Sequence, residues 1–175
     1  TLFFIYTLIG AILILISIIV ICISAYDPKY TSIVHSSNIN QLIDSNNYLS
    51  NSIFSAENKQ MLFGISLKKT IFLCMLFGFL IKFAIVPFHS WLPKAHADAP
   101  TPISIILSAL MLKIGGYGFL KFIVPIFPEE IIYYSNLLAI LAIISIFYSA
   151  LNAFAAQDIK LMIAYSSIVH MGFVL

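Results

Sequence analysis

VPFHSWLPKAHADAPTP, residues 86–102, places four prolines within 17 residues, between two long apolar runs. Pro87 has no N–H group, so in a helix running through this position the carbonyl of Phe83 loses its hydrogen-bond partner. If the flanking runs cross a membrane, such freed backbone groups are tolerated only where protein or water covers them. The stretch therefore predicts a membrane helix that is broken near Pro87 and packed inside a larger bundle.

The whole chain has the composition of a polytopic membrane protein. Of its 175 residues 61% are hydrophobic and only 9% are charged, and the mean hydropathy is +1.03, whereas soluble domains carry about 25% charged residues. A net charge of +2 without a basic run argues against nucleic-acid binding. Cys22 and Cys74 lie in apolar runs and indicate packing residues rather than a disulfide or a metal site.

The apolar runs divide the chain into about five membrane helices, because a span of about 30 Å needs roughly 20 apolar residues. We therefore predict an all-α, polytopic transmembrane bundle. The predicted membrane segments are residues 1–25, 67–99, 102–124, 131–154 and 158–175. Within residues 67–99 the first half-helix is predicted to run to Val86 and to end at Pro87. Residues 26–66 are polar and are predicted to form an extramembrane loop.

The third predicted helix carries a lysine in the middle of an apolar run. Thr101 suits the N-cap of this helix and Pro102 its first position, which places Lys113 near the middle of the bilayer. A charged lysine there costs about 2.5–3.5 kcal/mol on insertion scales. A buried lysine gives up its proton more readily than one in water, so Lys113 is predicted to serve a proton relay. Tyr117, four residues later, is expected to hydrogen-bond it; the alternative is a lysine that snorkels to the interface.

Two further titratable side chains are candidates for the same relay. Lys82 lies five residues before Pro87, on the broken helix, where the functional interpretation is a lysine lining a hydrated cavity and the alternative is again snorkelling. His170 shares a helix face with Ser166 and Ser167, at three and four residues' distance. A face of hydroxyls and an imidazole can pass protons, and a hydrogen-bonded packing histidine is the alternative.

Other motifs in the chain are assigned to structure rather than to chemistry. His89 and His96 flank Trp91 and are predicted to be interfacial or loop histidines, because their spacing is not that of a zinc site. GGYG, residues 115–118, lacks the preceding strand that a nucleotide-binding loop requires. Its small residues are expected to allow close packing of helices.

At this point two stretches resemble a known family. KFAIVPFHSWLPKAHADAPTPISIILSALMLKIGGYGFLKF, residues 82–122, closely resembles the core of the subunit 4 family of NADH dehydrogenase, the antiporter-like subunits of respiratory complex I. FAAQDIKLMIAYSSIVHMGFVL, residues 154–175, resembles a later segment of that family. The resemblance covers the chain except residues 26–66. Two positions depart from the family: Lys121, where arginine is common, and Asp158, where threonine follows the glutamine.

The resemblance implies that the chain corresponds to family helices six to ten of fourteen. Lys82 matches the central proton-handling lysine of the discontinuous seventh helix, Lys113 the lysine of the eighth, and His170 the histidine of the tenth. Pro87 and Trp91 match motif positions at the helix break. The family's glutamate in the fifth helix and its exit-side residue in the twelfth have no counterpart in this sequence. We therefore expect a partial chain, or one piece of a split subunit with a companion chain.

The function implied by the resemblance is proton translocation as a non-redox subunit of NADH:ubiquinone oxidoreductase. Lys82 would stay protonated while an acidic partner is near, and separation of the pair would send the proton towards Lys113 and His170. One alternative is a subunit of a Mrp-type Na⁺/H⁺ antiporter or of a membrane-bound hydrogenase. A second alternative is a structural membrane fragment that handles no protons.

The same resemblance sets the expected cofactors, partners and location. No cofactor or metal is expected in this chain, and NADH, FMN, iron–sulfur clusters and ubiquinone are expected in other subunits of the complex. The expected partners are other membrane-arm subunits, including neighbouring antiporter-like subunits, and the lipid bilayer, without nucleic acid. All nine basic residues are lysine and Ile, Phe and Asn are abundant, a bias typical of organelle genomes. The expected location is the mitochondrial inner membrane.

Overall fold

A computed structural model describes residues 2–24, 42–43, 61–62 and 65–175. The long helices are α1 (Leu2–Ser24), α2 (Leu67–Phe83), α3 (Trp91–Asp98), α4 (Thr101–Ile126), α5 (Pro128–Ala155) and α6 (Ile159–Val174). Two strands of two residues each, β1 (Met61–Leu62) and β2 (Ile65–Ser66), pair antiparallel with Met61 opposite Ser66. The all-α helix bundle predicted from the sequence is confirmed. The short strand pair lies inside the segment that was predicted as a loop.

Three of the described helices are long and apolar enough to cross a membrane by themselves, namely α1, α4 and α5. α2 has 17 residues and α6 has 16, slightly fewer than the roughly 20 that a span needs. α2 is the first half of the broken helix and α3 is its second half. The predicted set of about five membrane helices therefore contains three full-length helices and two shorter ones.

α1 and α2 pack antiparallel at a pair of glycines. A Cβ atom added at Gly78 would lie 2.8 Å from the carbonyl oxygen of Gly10 and 2.6 Å from Ile14. The two backbones can approach this closely because neither glycine carries a side chain. The contact brings the first turns of α1 beside the break that follows α2, where Phe3 packs on Trp91 with ring centroids 5.5 Å apart.

α4 and α5 complete the core on the other side of α2. α4 runs antiparallel to α2, with Gly118 against the ring of Phe79. α5 starts at the same end as α2, and Lys68 at that end forms ion pairs with Glu129 at 3.2 Å and Glu130 at 3.3 Å. Buried aromatic rings fill the space between these helices: Phe72, Phe79, Phe83, Phe119 and Phe127. α6 packs antiparallel on α5, with Gly172 against Ile146.

The helix break begins three residues earlier than the sequence predicted. α2 ends at Phe83, and Ala84 adopts the left-handed conformation with φ 53° and ψ 41°. The prediction that the helix continues to Val86 and ends at Pro87 is therefore wrong, although the break itself lies near Pro87 as predicted. The left-handed residue turns the chain out of the helix before the missing N–H of the proline can act.

The end of α2 is closed by the two hydrogen bonds of a Schellman motif. The N–H of Ala84 donates to the carbonyl of Ile81 at 3.1 Å, and the N–H of Ile85 donates to the carbonyl of Leu80 at 3.2 Å. These bonds satisfy carbonyls that the end of any helix leaves without partners. The break is thus a capped helix end rather than a kink.

α4 is continuous but irregular. It starts at Thr101, after an extended Pro100, so Thr101 is the first helical residue and not the N-cap that the sequence predicted. Two wide turns, Leu107–Met111 and Phe119–Ile123, interrupt its regular helix with i to i+5 hydrogen bonding. Wide turns of this kind are frequent at functional sites.

Candidate functional site

Lys82 lies beside a cavity at the helix break. It is half-buried and occupies the last turn of α2, one residue before the helix ends. The cavity has a volume of about 380 Å³. Its walls come from α1, α2, α3 and α4: Phe4, Thr7, Leu8, Ala11, Lys82, Trp91, Met111 and Ile114. Lys82 is the one ionisable side chain among these residues, so it decides the charge of the cavity.

Trp91 joins the two halves of the broken helix. Its indole Nε1–H donates to the carbonyl of Ile81 at 3.1 Å, and the side chain is only 2% exposed. Ile81 directly precedes Lys82, so this bond fixes the backbone that carries the lysine against the start of α3. The ring also forms part of the cavity wall. Trp91 was predicted as a supporting residue, and this contact gives it a specific structural position.

No carboxylate of the described residues lies within 4 Å of the Lys82 ammonium. The ion pairs among the described residues are those of Lys68, at the opposite end of α2. The last turn of a helix carries partial negative charge, which favours a cation by about 0.3–1 kcal/mol at most surface positions. The cavity wall offers mainly hydrocarbon besides Thr7. The charge of Lys82 is thus only weakly compensated by the part of the chain that the structure describes.

Among the residues that the structure describes, Lys113 is exposed and not buried as the sequence predicted. It lies on the exposed side of α4, because α4 turns its small residues, such as Gly115, towards α2 and thereby turns Lys113 away. Its ammonium donates to the carbonyl of Ser108, within the first wide turn. The predicted hydrogen bond to Tyr117 is also wrong. The lysine extends towards the start of the helix, as helical side chains do, whereas Tyr117 lies one turn later and is 64% exposed.

His170 is likewise exposed and not buried as predicted. The hydroxyl groups of Ser166 and Ser167 both donate to the carbonyl of Ile163, at 2.8 and 3.0 Å. Hydroxyls one turn along a helix commonly bond back in this way. The predicted face of two hydroxyls and an imidazole is therefore present in position, but the hydroxyl protons are directed to the backbone and not to His170.

Near the break lie buried polar groups whose burial the sequence did not predict. His96, predicted as an interfacial or loop histidine, is 1% exposed inside α3, and its Nε2 has no hydrogen-bond partner among the described residues. It adjoins a cavity of about 200 Å³ that Ser104 and Lys160 also line. Lys160 donates to the carbonyl of Ala99 at 2.9 Å. A histidine in a short helix between prolines gives no sequence signal for such burial.

α5 braces the break from the other side. The hydroxyl of Ser145 accepts a hydrogen bond from the N–H of Val86 at 3.5 Å. One turn further, the ring of Tyr148 contacts the ring of His89, with centroids 5.0 Å apart. The sequence offered no clue to this contact, because Ser145 is one of three serines in an apolar helix and nothing in the sequence distinguishes it from the other two. Together α1, α4 and α5 enclose the broken helix.

The sequence that forms this broken helix and its cavity matches a known family over the full chain. The matching family model is described as NADH:quinone oxidoreductase/Mrp antiporter, transmembrane, and it covers residues 1–175. The chain belongs to this family. It is an integral membrane protein, and its family includes both respiratory and antiporter subunits.

Individual relatives carry the names of respiratory subunits. The chain is 36% identical to NADH-quinone oxidoreductase subunit M of Rickettsia bellii over 98% of its own length and 30% of that protein. It is 47% identical to NADH-ubiquinone oxidoreductase chain 4 of Chondrus crispus over 59% of its length and 22% of that protein. The chain thus spans less than a third of these relatives.

A solved structure shows the same fold. Respiratory complex I from Thermus thermophilus with bound NADH contains a chain that matches with a TM-score of 0.69 and 27% identity. The match covers 98% of this chain and 32% of that one. The resemblance to antiporter-like subunit 4 drawn from the sequence motifs is therefore confirmed.

Proposed function

We propose that this chain takes part in proton translocation as a segment of the antiporter-like membrane subunit of a respiratory NADH:quinone oxidoreductase, with Lys82 as its central proton-handling residue. The family match and the names of the relatives support the assignment to the complex. The single observation that carries the role is the half-buried Lys82 at the end of a broken helix, alone as a charge in a largely apolar cavity.

The proton affinity of Lys82 would respond to a neighbouring charge. An opposite charge within about 4–6 Å favours the charged form of a group, whereas desolvation in apolar surroundings favours its neutral form. The described residues bring no carboxylate within 4 Å of Lys82. An acidic side chain from another part of the subunit would hold the proton on Lys82 while it is near, and its withdrawal would release the proton.

Lys113 and His170 are proposed as the next stations of the same relay. Both lie on faces that the described residues leave uncovered. Because the chain spans 30% of the Rickettsia bellii relative, the remaining helices of a full-length subunit are available to cover these faces. We propose that they do so and that Lys113 and His170 become buried in the assembled subunit. Tyr117 and Ser166 would then act as supporting groups beside them, and Ser167, which is already buried, would support His170 from the packed side of the helix.

The chain would act without a redox centre of its own. Electron transfer from NADH through FMN and iron–sulfur clusters to ubiquinone would occur in other subunits, and the membrane arm would convert it into charge movement at Lys82. The proposed partners are neighbouring antiporter-like subunits and the segments or companion chain that carry the remaining family helices. The proposed location is the mitochondrial inner membrane, supported by the compositional bias of the sequence. Immunoblotting of purified mitochondria tests this location.

A Mrp-type antiporter is the second candidate, because the family description includes it. A related possibility is a membrane-bound hydrogenase subunit, and both would retain the lysine chemistry with a different energy source. Native electrophoresis of gently solubilised membranes, stained for NADH dehydrogenase activity and followed by peptide sequencing, separates these cases. Peptides of this chain in the active band support complex I, and peptides with antiporter or hydrogenase subunits contradict it.

The decisive test of the proton role compares lysine variants in the assembled complex. Lys82→Ala and Lys113→Ala are each expected to leave assembly intact and to lower the number of protons moved per NADH oxidised in proteoliposomes. Lys121→Ala, an exposed lysine near the end of the same helix as Lys113, serves as the matched control and should leave this ratio unchanged. Fully assembled variants that pump normally, including variants with Met at both positions, would instead favour a structural membrane fragment that handles no protons.

A further inference from the structure

A third cavity opens between α2 and α5, away from Lys82. It has a volume of about 240 Å³. Apart from the hydroxyl of Tyr134, its lining side chains are hydrocarbon or aromatic; they include Leu73, Leu76, Phe77 and Leu80 of α2 and Leu137 and Leu141 of α5. The α2 residues in this set follow the helix repeat, so they form one continuous face. We call this feature the α2–α5 groove.

The α2–α5 groove extends the face that carries Lys69. Lys69 lies one turn before Leu73, and about 16 Å of helix separates it from Leu80 at a rise of 1.5 Å per residue. Its ammonium lies over the ring of Tyr133, 5.1 Å from the centroid. Tyr133 packs edge-on against Tyr134, which lines the groove. The groove therefore has a cationic, aromatic end and an apolar body.

The charged end contains equal numbers of positive and negative groups. Lys68 is occupied by Glu129 and Glu130, at 3.2 and 3.3 Å. Among the described residues no carboxylate lies within 4 Å of Lys69, whose contact there is the ring of Tyr133. Glu129 is 83% exposed and precedes Tyr133 by one helical turn. Lys68 balances only one of the two carboxylates that it contacts, so this cluster keeps one net negative charge beside the cation of Lys69.

We propose that the α2–α5 groove binds one membrane phospholipid with a phosphate and an amine in its headgroup. An acyl chain would fill the apolar body, the phosphate would accept a hydrogen bond from Lys69, and the ammonium of the headgroup would face Glu129. Tyrosine and lysine at this level are typical of the membrane–water interface. The balance of two lysines against two glutamates favours a zwitterionic headgroup over an anionic one.

Other occupants fit the α2–α5 groove less well. Water needs two to four polar partners, and the side chains lining the groove supply only the hydroxyl of Tyr134. A neighbouring α-helix, about 10 Å wide, is too wide to enter the 240 Å³ body of the groove and would reach it only with its side chains. A single hydrocarbon chain is narrow enough to enter lengthwise between α2 and α5.

The test uses the complete membrane complex and a photoactivatable phosphatidylethanolamine with the reactive group in its acyl chain. After irradiation and digestion, mass spectrometry is expected to find label on peptides of α2 and α5. Leu137→Trp fills the groove and should lower this labelling about tenfold. Leu15→Trp, on the exposed face of α1, is the matched control and should not change it. Lys69→Gln should lower it about fivefold, through loss of one charged hydrogen bond.

Several outcomes would overturn the proposal. Equal labelling of the wild-type complex and Leu137→Trp would show that the groove holds no lipid chain. A photoreactive leucine at position 137 that cross-links to another protein segment would show that a helix covers the groove. Equal labelling by a photoactivatable phosphatidylglycerol would refute the zwitterionic headgroup. If Leu137→Trp fails to assemble, Leu141→Phe fills the same groove with a smaller change, and loss of labelling again supports the site.

Discussion

The indole nitrogen of Trp91 donates to the main-chain carbonyl of Ile81 at 3.1 Å, across the break between α2 and α3. The same carbonyl also accepts the N–H of Ala84, so one oxygen holds both the cap of α2 and the first residue of α3. Lys82 follows Ile81 directly. The position of the lysine backbone therefore depends on a side chain nine residues later in the sequence.

Trp91→Phe is predicted to destabilise the junction between α2 and α3 slightly, without leaving a large cavity. The substitution removes one hydrogen bond worth about 1 kcal/mol but keeps an aromatic ring against Phe3. Trp91→Ala should cost about 3–5 kcal/mol, because it leaves a large cavity. The free energy of unfolding in mixed detergent micelles measures both losses. A Trp91→Phe variant as stable as the wild type would show that the hydrogen bond contributes little.

Ala84→Gly is predicted to stabilise the protein by roughly 0.5–1 kcal/mol. Alanine resists the left-handed conformation that Ala84 adopts, whereas glycine accepts it freely. Ala164→Gly is the matched control, because Ala164 is equally buried but lies inside α6. There the same change should destabilise by about 1 kcal/mol. Opposite signs in thermal denaturation support the geometry of the break, and equal signs contradict it.

Gly78→Ala is predicted to separate α1 from α2. The added methyl group would lie 2.8 Å from the Gly10 carbonyl and 2.6 Å from Ile14, so the helices must move apart at a cost of about 1–3 kcal/mol. Gly116→Ala should be tolerated, because its nearest neighbour is the flexible end of Met171 at 3.3 Å. Yield of the folded chain in detergent compares the two. Normal yield of Gly78→Ala would place α1 elsewhere.

Glu130→Gln is predicted to weaken the junction between α2 and α5 more than Glu129→Gln does. Glu130 is 6% exposed and Glu129 is 83% exposed, and both contact Lys68. Removing the buried carboxylate leaves Lys68 with only the exposed Glu129, at a cost of about 1–3 kcal/mol, whereas the exposed pair contributes little and is screened by salt. Unfolding measured at low and high salt should show salt dependence mainly for the Glu129 contact.

The sequence predicted those features that follow from composition and strong local signals. Apolar length located the helices, and Pro87 located the break to within three residues. Ala84 could not be predicted as the helix end, because alanine is the best helix former and only the tertiary packing holds it in the left-handed region. The directions in which the side chains of Lys113 and His170 point could not be predicted from the sequence either. A lysine in an apolar run indicates that its charge needs a polar or charged partner. Which face of the helix meets such a partner depends on all the helices that pack against it.

The two wide turns of α4 change the direction in which the successive parts of this helix present their side chains, because the wide turns depart from the regular 100° per residue. Each wide turn places one more residue in the turn than a regular helix does, so the face of Ser104, beside His96, is no longer in phase with the face of Gly115, beside Lys82. Deleting one residue from Leu107–Met111 would restore the phase and would rotate Ser104 by about 100° relative to Gly115. A sequence alignment of α4 that allows no gap would therefore superimpose faces that point in different directions in space.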